Sequence, residues 1–215
     1  MTTSHSVAKA LLDIRSVQFS PKKPFVYTSG MKSPIYADLR LIMSYPPERE
    51  IVIRELITLV GDTIGWGKID VISGTATAGV PFASWVADRL HKPMVYVRDT
   101  KKNHGLEKEI EGTFHKGASV LVIEDIVSSG KSSLGNIKSI QSLGGNAIGC
   151  VSVASYEIAK ANQGFKSLKI PLHYLVSMQD LVNVAVKRKL LSAADRHVVW
   201  DWLSDPSGWA KRQGF

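Results

Sequence analysis

The sequence contains a single cysteine, Cys150, among 215 residues. One cysteine cannot form a disulfide within the chain, and it excludes metal sites built from several cysteine ligands. Cys150 lies among apolar residues in NAIGCVSVAS, which favours a small buried side chain over a nucleophile. Few cysteines are typical of proteins in a reducing compartment, so we expect a cytoplasmic location.

Long apolar runs are also absent. No stretch is long enough to cross a bilayer, and the N-terminal residues MTTSHSVAKALLDIRS lack the uninterrupted apolar segment of a secretion signal. The hydrophobic content of 44% and charged content of 21% are ordinary for globular proteins and exclude disordered and collagen-like classes. We therefore expect a soluble protein with no membrane partner.

Acidic residues are in the minority, with 19 Asp and Glu against 27 Lys and Arg, and the formal net charge is +8. This charge suits nucleic acid, an anionic membrane or a small polyanionic substrate equally well. The basic residues are dispersed, with short clusters such as Lys187-Arg188-Lys189. A solvated face is therefore the preferred interpretation for most of them.

Hydrophobic periodicity predicts a helix over residues 7–18, short extended pieces between 19 and 40, and a helix over 47–61. Short apolar runs then alternate with amphipathic segments; the runs are IDVISG, PMVYVR, ASVLVIEDI and NAIGCVSVAS. That alternation is typical of a parallel sheet covered by helices, so the predicted fold class is α/β.

The last part of the chain, from residue 178 onward, is predicted to be helical. Trp200, Trp202 and Trp209 fall in it and are expected to be packing anchors. A length of 215 residues favours one domain.

The run ASVLVIEDI contains two adjacent acids, Glu124 and Asp125, at the end of a predicted strand. Ligands of open parallel sheets bind beyond the carboxyl ends of the strands, so we expect both carboxylates to face that crevice. An acid pair can accept hydrogen bonds from the hydroxyl groups of a sugar. The alternative is that the two acids only cap the helix that follows.

A hydroxyl-rich turn, IVSSGKSS, follows the acids. It offers the hydroxyls of Ser128, Ser129, Ser132 and Ser133, a permissive Gly130 and backbone N–H groups at a helix start. Together these predict a phosphate cradle. The turn is not a nucleotide-triphosphate P-loop, because the first glycine which that motif requires falls at Asp125. An acid pair next to a phosphate cradle predicts a sugar phosphate ligand.

The stretch VLVIEDIVSSGKS resembles the fingerprint of type I phosphoribosyltransferases. The resemblance implies the type I phosphoribosyltransferase fold, with a central mostly parallel sheet flanked by helices and a small N-terminal hood. It implies a hood over about 1–45, a core over about 46–180 and a C-terminal helical segment over about 181–215. It also implies that Glu124 and Asp125 bind the ribose of phosphoribosyl pyrophosphate. The residues implied to bind its 5′-phosphate are Ser128, Ser129, Gly130, Lys131 and Ser132.

Three further stretches resemble orotate phosphoribosyltransferases. FVYTSGMKSPIYADLR is similar to the segment that lines their orotate and pyrophosphate sites, which implies substrate-binding roles for Lys32, Ser33, Ile35 and Tyr36. SGTATAGVPFASWVADRL is similar to their pyrophosphate-binding loop, which implies the same for Thr75, Ala76, Thr77 and Ala78. YVRDTKKNHGLEKEIEG is similar to their mobile catalytic loop.

By this resemblance the catalytic residues are Arg98, Lys102, His104 and Asp125. The lysine that often follows the loop arginine is Asp99 here, and Lys101 is the candidate substitute. Some members of the family have a lysine where this chain has Thr28. The resemblance also implies an enzyme that uses Mg²⁺, phosphoribosyl pyrophosphate and orotate, and a homodimer in which each subunit's loop completes its neighbour's site. The metal is expected on the substrate's own oxygens, with no protein side chain assigned as a ligand.

One departure from the family pattern bears on the base. Tyr156 and Glu157 stand where the family usually has an Asp-Arg pair whose arginine contacts orotate. Transfer to orotate in pyrimidine biosynthesis is the leading hypothesis. The alternatives are transfer to a different base, or a regulator of the same fold that binds phosphoribosyl pyrophosphate or RNA. The cations Arg98, Lys102 and His104 disfavour the regulator, because a sensor needs no positive charge to stabilise a leaving group. We therefore expect no nucleic-acid partner.

Overall fold

The computed structural model describes residues 3–27, 29–98 and 110–215. The chain forms two compact units, one containing residues 1–49 and 176–215 and the other residues 50–175. That the whole chain acts as a single domain with a hood, a core and a C-terminal segment stays a prediction.

The N-terminal elements are short, apart from two helices. They are α1 (Thr3–Asp13), β1 (Val17–Phe19), β2 (Phe25–Val26), β3 (Lys32–Ser33), β4 (Ile35–Ala37), a 3₁₀ turn (Leu39–Ser44) and α2 (Pro46–Thr63). Strand β1 pairs antiparallel with β4, and β2 pairs antiparallel with β3. The predicted helix over 47–61 corresponds closely to α2.

The opening helix begins and ends earlier than its periodicity predicts. Arg15 adopts a left-handed conformation with φ of 56°, which ends the helix. The backbone N–H and the hydroxyl of Ser16 both donate to the carbonyl of Leu11, so the chain turns there. Val17 then begins β1 instead of continuing α1, and the prediction of a helix to residue 18 was wrong.

The middle of the chain alternates strands with helices. Its elements are a 3₁₀ turn (Trp66–Lys68), β5 (Val71–Thr75), α3 (Gly79–Leu90), β6 (Met94–Val97), β7 (Ile110–Glu111), β8 (Ser119–Val127), α4 (Lys131–Ser142), β9 (Asn146–Ser155), α5 (Ala159–Leu168) and β10 (Leu172–Ser177). These strands form one six-stranded sheet in the order β10-β9-β8-β5-β6-β7. The pairs β5–β6, β5–β8 and β8–β9 are parallel, and β6–β7 is antiparallel. The predicted α/β class with a mostly parallel sheet is confirmed.

Helices cover this sheet, with α3 contacting β5, β6 and β8 and α4 contacting β5, β8 and β9. Because the central strands are covered, they read as continuous apolar runs. In β8 the side chains from Val120 to Ile123 are all fully buried. Cys150 is fully buried in β9, which confirms its prediction as a small core residue.

The C-terminal helices are α6 (Met178–Lys187), α7 (Ala193–Ser204) and α8 (Pro206–Arg212), as the helical prediction from residue 178 anticipated. Trp202 and Trp209 are buried, and their indole N–H groups donate to the carbonyls of Lys32 and Val198. Both are packing anchors, as predicted. Trp200 is half-buried, with the Arg196 guanidinium 4.6 Å from its ring centroid.

Within residues 3–27, 29–98 and 110–215, no helix combines the length and the apolar character needed to span a lipid bilayer.

Candidate active site

A pocket lies where the neighbouring parallel strands β5 and β8 end. Register pairing places Gly74 of β5 beside Ile123 of β8, so the residues that follow each strand meet at the same edge of the sheet. One wall is the turn between β5 and α3, and the other is the end of β8 with the turn into α4. The lining residues are Thr75, Ala76, Thr77, Ala78, Glu124, Asp125, Ile126, Ser128, Ser129, Gly130, Lys131, Ser132 and Ser133.

Both acids line this pocket, as the strand-end argument predicts. Strand β8 continues beyond them to Val127, so the two acids lie within the last few residues of the strand and not at its terminus. The Glu124 side chain is buried and accepts a hydrogen bond from the Ser133 hydroxyl at 3.0 Å. The backbone N–H of Asp125 donates to Glu124 Oε1 at 3.2 Å.

Glu124 is protonated more readily than an ordinary glutamate. Burial raises the pKa of its carboxyl well above the usual value, and the negative charge of Asp125 raises that pKa further. The hydrogen bond from Ser133 opposes these effects without outweighing them. A protonated carboxyl can donate a hydrogen bond as well as accept one, which suits contact with a sugar hydroxyl.

The turn after β8 has the open geometry expected of an anion cradle. Gly130 has φ of 76°, and a Cβ at this position would lie 3.2 Å from the Ala161 Cβ, so glycine fits both the conformation and the space. Helix α4 starts at Lys131, and the N–H groups of its first turn lie at the positive end of the helix. Ser128, Lys131 and Ser132 are exposed along the pocket, and Ser129 is half-exposed.

Ser133 differs from the other serines of the turn. Its side chain is buried, and its hydroxyl donates to Glu124. Ser133 lines the pocket, and its expected contribution of a hydroxyl to the phosphate cradle stays a prediction.

Asn136 is a residue of this region that sequence reasoning missed. It lies one turn after Ser133 on α4 and is buried with it, next to Ile137 and Ile140. Its side-chain amide donates to the carbonyl of Gly74 at 3.1 Å and to the hydroxyl of Thr75 at 3.0 Å. The signal that could have found it is a polar residue on the apolar face of a predicted amphipathic helix.

Arg98 directly follows β6 and lines a second pocket, which adjoins the first at Thr75, Lys131 and Ser132. Its guanidinium forms an ion pair with Glu111 of β7. Glu111 was not singled out from the sequence, and β7 itself was not predicted, since it has only two residues.

Lys101, Lys102 and His104 lie outside the described residues, as do Asp99 and Thr28. Their roles therefore stay predictions.

The four residues assigned to the orotate and pyrophosphate sites, Lys32, Ser33, Ile35 and Tyr36, lie in the unit formed by the two ends of the chain. Lys32 and Ser33 form β3, while Ile35 and Tyr36 belong to β4. Ser33 and Ile35 are fully buried, main chain included, and the Ile35 N–H and carbonyl already bond to the Ser33 hydroxyl. Lys32 is half-buried and Tyr36 is 37% exposed, and their side chains are the ones available for contact.

Tyr156 and Glu157 follow β9. The N–H of Tyr156 donates to the carbonyl of Val127 at 2.9 Å, which ties this segment to the end of β8. Glu157 is left-handed with φ of 55°, and its carboxylate accepts a hydrogen bond from the Tyr174 hydroxyl at 2.5 Å. The carboxylate is thus already engaged with Tyr174.

A sequence model of the phosphoribosyl transferase domain matches residues 45–179, which include the whole pocket. The sheet, the acid pair and the hydroxyl-rich turn are therefore those of the phosphoribosyltransferase class. The orotate phosphoribosyltransferase of Listeria monocytogenes serotype 4b is 37% identical over 211 residues, which cover 98% of this chain and the full length of that protein. The chain belongs to the phosphoribosyltransferase family, among the orotate phosphoribosyltransferases.

Solved structures agree on the fold. The orotate phosphoribosyltransferase of Aeropyrum pernix superposes with a TM-score of 0.72 and 25% identity, covering 85% of this chain and 98% of that one. UMP synthase of Leishmania donovani superposes with a TM-score of 0.79 and 28% identity over 94% of this chain. This chain spans only 42% of that longer protein.

Proposed function

We propose that the protein transfers the phosphoribosyl group of phosphoribosyl pyrophosphate to orotate, giving orotidine 5′-monophosphate and pyrophosphate in the biosynthesis of UMP. The observation that carries the proposal is the meeting of the acid pair, the hydroxyl-rich turn and the Thr75–Ala78 turn in one pocket. That pocket offers hydrogen-bond acceptors for a ribose between two clusters of donors for phosphates.

The donor is assigned to the pocket by the chemistry of its residues together with the family resemblance. Ser128, Ser129 and Ser132, with the N–H groups at the start of α4, bind the 5′-phosphate. Glu124 and Asp125 bind the ribose hydroxyls. The turn from Thr75 to Ala78 binds the pyrophosphate, and Lys131 adds positive charge beside the 5′-phosphate. Lys32 and Tyr36 are assigned to orotate, and the buried Ser33 and Ile35 are assigned to holding that segment in place.

In the reaction a ring nitrogen of orotate bonds to C1′ and loses its proton, while the bond from C1′ to the pyrophosphate oxygen breaks and its electron pair leaves with pyrophosphate. Positive charge builds up on the sugar as negative charge builds up on the leaving group, so positioned cations lower the barrier. Arg98, Lys102 and His104 are the proposed cations, with Lys101 in support. Asp125 holds the sugar in place while positive charge builds up on the sugar.

Mg²⁺ fits this pocket as an ion held by the substrate. In the described part of the chain no group of three or more His, Cys, Asp or Glu side chains is placed to hold a metal. Magnesium commonly keeps several waters and binds through substrate phosphates, and a pocket with few protein ligands is compatible with that habit. When bound, the ion neutralises charge on the pyrophosphate.

We further propose a homodimer in which each subunit's Lys101–His104 segment acts at the partner's pocket, and a cytoplasmic location. The first of these follows from the family resemblance and the second from the single cysteine.

The test is the loss of orotate absorbance with purified protein, phosphoribosyl pyrophosphate and Mg²⁺, against reactions that lack each component. We expect loss of orotate only when all components are present. For Asp125→Asn we expect turnover to fall by about a hundredfold or more, the usual effect of removing one electrostatic contact to a transition state. If calorimetry shows that the donor binds but orotate is not consumed, the acceptor is a base other than orotate. The failure of both would return the acid pair to a capping role.

A further inference from the structure

The face of α4 that packs on the sheet is polar at two positions. Ser133 and Asn136 are three residues apart and therefore lie on one side of the helix. Both are buried, with exposed fractions of 2% and 1%, among the apolar residues Ile137 and Ile140. Buried polar side chains are costly unless they are hydrogen-bonded, so their partners show what the two residues do.

Every polar atom of the Asn136 side chain has a partner. The amide nitrogen donates to the Gly74 carbonyl and to the Thr75 hydroxyl, at 3.1 and 3.0 Å. The amide oxygen accepts from the Ser73 hydroxyl at 2.9 Å. One side chain of α4 thus holds the last residues of β5, immediately before the turn that lines the pocket.

Ser133 makes the corresponding contact with the next strand, donating to Glu124 of β8 at 3.0 Å. The two contacts are separate, because no residue bonds to both side chains among the hydrogen bonds of the described segments. Helix α4 therefore fixes two strand ends independently, one leading to the Thr75–Ala78 turn and one carrying the acid pair.

We propose that Asn136 is a positioning residue for the pyrophosphate half of the donor site, and Ser133 one for the ribose half. This inference rests on the proposed function, because it uses the assignment of pyrophosphate to the Thr75–Ala78 turn. Without the Asn136 amide, the Thr75 hydroxyl and the Gly74 carbonyl lose the donors that orient them. A turn whose first residue is free to rotate binds the same ligand less tightly.

The test measures two ligands separately by calorimetry, in the presence of Mg²⁺: pyrophosphate and ribose 5-phosphate. For Asn136→Ala we expect the Kd for pyrophosphate to rise about tenfold, the scale of one or two lost hydrogen bonds. The Kd for ribose 5-phosphate stays within about twofold. Ser133→Ala is expected to give the reverse pattern, since it frees Glu124 and leaves the β5 end untouched.

Ser73→Ala is the matched control. It breaks the third bond of Asn136 and leaves both donations to Gly74 and Thr75, so its pyrophosphate Kd should remain close to that of the unaltered protein. Equal weakening of both ligands by Asn136→Ala, or the same loss in Ser73→Ala, would show a general packing role and overturn the proposal. So would an unchanged pyrophosphate Kd.

Asn136→Leu covers the case in which the alanine variant does not fold, because it nearly keeps the size, removes the donors and buries no charge. Its expected result is the same selective loss of pyrophosphate affinity, and circular dichroism establishes that it is folded. These binding assays contain no orotate. A protein that fails to convert orotate but shows the selective loss refutes the base assignment and keeps the positioning role. Conversion of orotate without the selective loss refutes the positioning role alone.

Discussion

At the start of α3, Gly79 lies against the strand that carries the acid pair. A Cβ at Gly79 would be 2.8 Å from the Ile123 carbonyl oxygen and 3.1 Å from Glu124 Oε1. The first neighbour is backbone within a paired strand, so it cannot move aside cheaply. Gly79 is therefore required by close helix–strand packing beside the pocket.

Gly79→Ala is expected to lower the free energy of unfolding by about 1–3 kcal/mol, the usual cost of overpacking. It should also weaken donor binding, because the added Cβ displaces the Glu124 carboxylate. Gly135→Ala on α4 is the control, since a Cβ there meets nothing within 4 Å. That variant should gain about 0.5–1 kcal/mol from better helix propensity. Urea unfolding measures both, and equal effects of the two substitutions would contradict the packing argument.

Glu124 gives the pocket a pH dependence of stability. Because its pKa is raised in the folded protein, the folded state binds this proton more tightly than the unfolded chain. The unaltered protein therefore loses stability as the pH rises above the ordinary glutamate value of about 4.3 toward the raised pKa. Glu124→Gln cannot titrate and escapes that loss.

The free energy of unfolding of Glu124→Gln, relative to the unaltered protein, should thus increase as the pH rises above about 4.3 toward the raised pKa of Glu124. Urea titrations at several pH values measure this difference. A difference that is constant with pH, or one that moves in the opposite direction, would show that Glu124 does not hold a proton in the folded state.

Among the elements, α6 has the most complete cap. The Ser177 hydroxyl accepts from the N–H of Asp180 at 3.0 Å, and the Asp180 carboxylate accepts from the N–H of Ser177 at 3.3 Å. The hydroxyl of Ser4 also donates to Asp180, at 3.0 Å, so the cap joins α6 to α1.

Ser177→Ala should lower the free energy of unfolding by about 1 kcal/mol, the usual value of an N-cap. Ser167→Ala is its control, because Ser167 is exposed and its hydroxyl donates to the carbonyl of Gln163 within α5. We expect that variant to stay within about 0.5 kcal/mol of the unaltered protein in thermal or urea unfolding. Equal losses in the two variants would deny the cap its role.

The elements that could be predicted from sequence are those with strong periodicity. Strand β9 matches the run NAIGCVSVAS residue for residue, and β8 is displaced by one residue from its predicted run. Helix α5 was not predicted, since its sequence AKANQGFKSL has few apolar residues and an internal glycine. Neither α5 nor the short β7 has a hydrophobic pattern that separates it from a loop.

For the site, the sequence predicted the residues that touch the pocket and missed those that support it. Glu124, Asp125 and the serine turn stand out because acids and hydroxyls follow an apolar strand. Asn136 and Glu111 act through contacts with other elements, Asn136 with β5 and Glu111 with Arg98. Such contacts depend on tertiary packing, which a pattern along one segment does not contain.

At the scale of the whole molecule, the proposed dimer makes a quantitative prediction. If Lys102 acts at the partner's pocket, Lys102→Ala damages the site of the partner subunit, whereas Asp125→Asn damages the site of its own subunit. In a dimer with one subunit of each variant, both changes fall on the same site and the other site is intact. Separately, each variant should be nearly inactive. After mixing and subunit exchange, half of the dimers would pair one of each and contain one intact site, so activity should return to about a quarter of that of the unaltered protein.

The measurement is orotate turnover before and after the exchange, with each variant mixed with itself as control. Sedimentation should show a dimer of 23.6 kDa chains throughout. No recovery in a mixture that contains mixed dimers would place Lys102 at the pocket of its own subunit.

The placement of Ser133 and Asn136 on one side of α4 makes the angular phase of this helix important. Each residue advances an α-helix by about 100°, so inserting one residue between Gly130 and Ser133 would rotate both side chains away from the sheet. An insertion after Ser142, where the helix ends, would leave that phase intact. The first half of α4 should therefore keep a fixed length among functional variants of this chain.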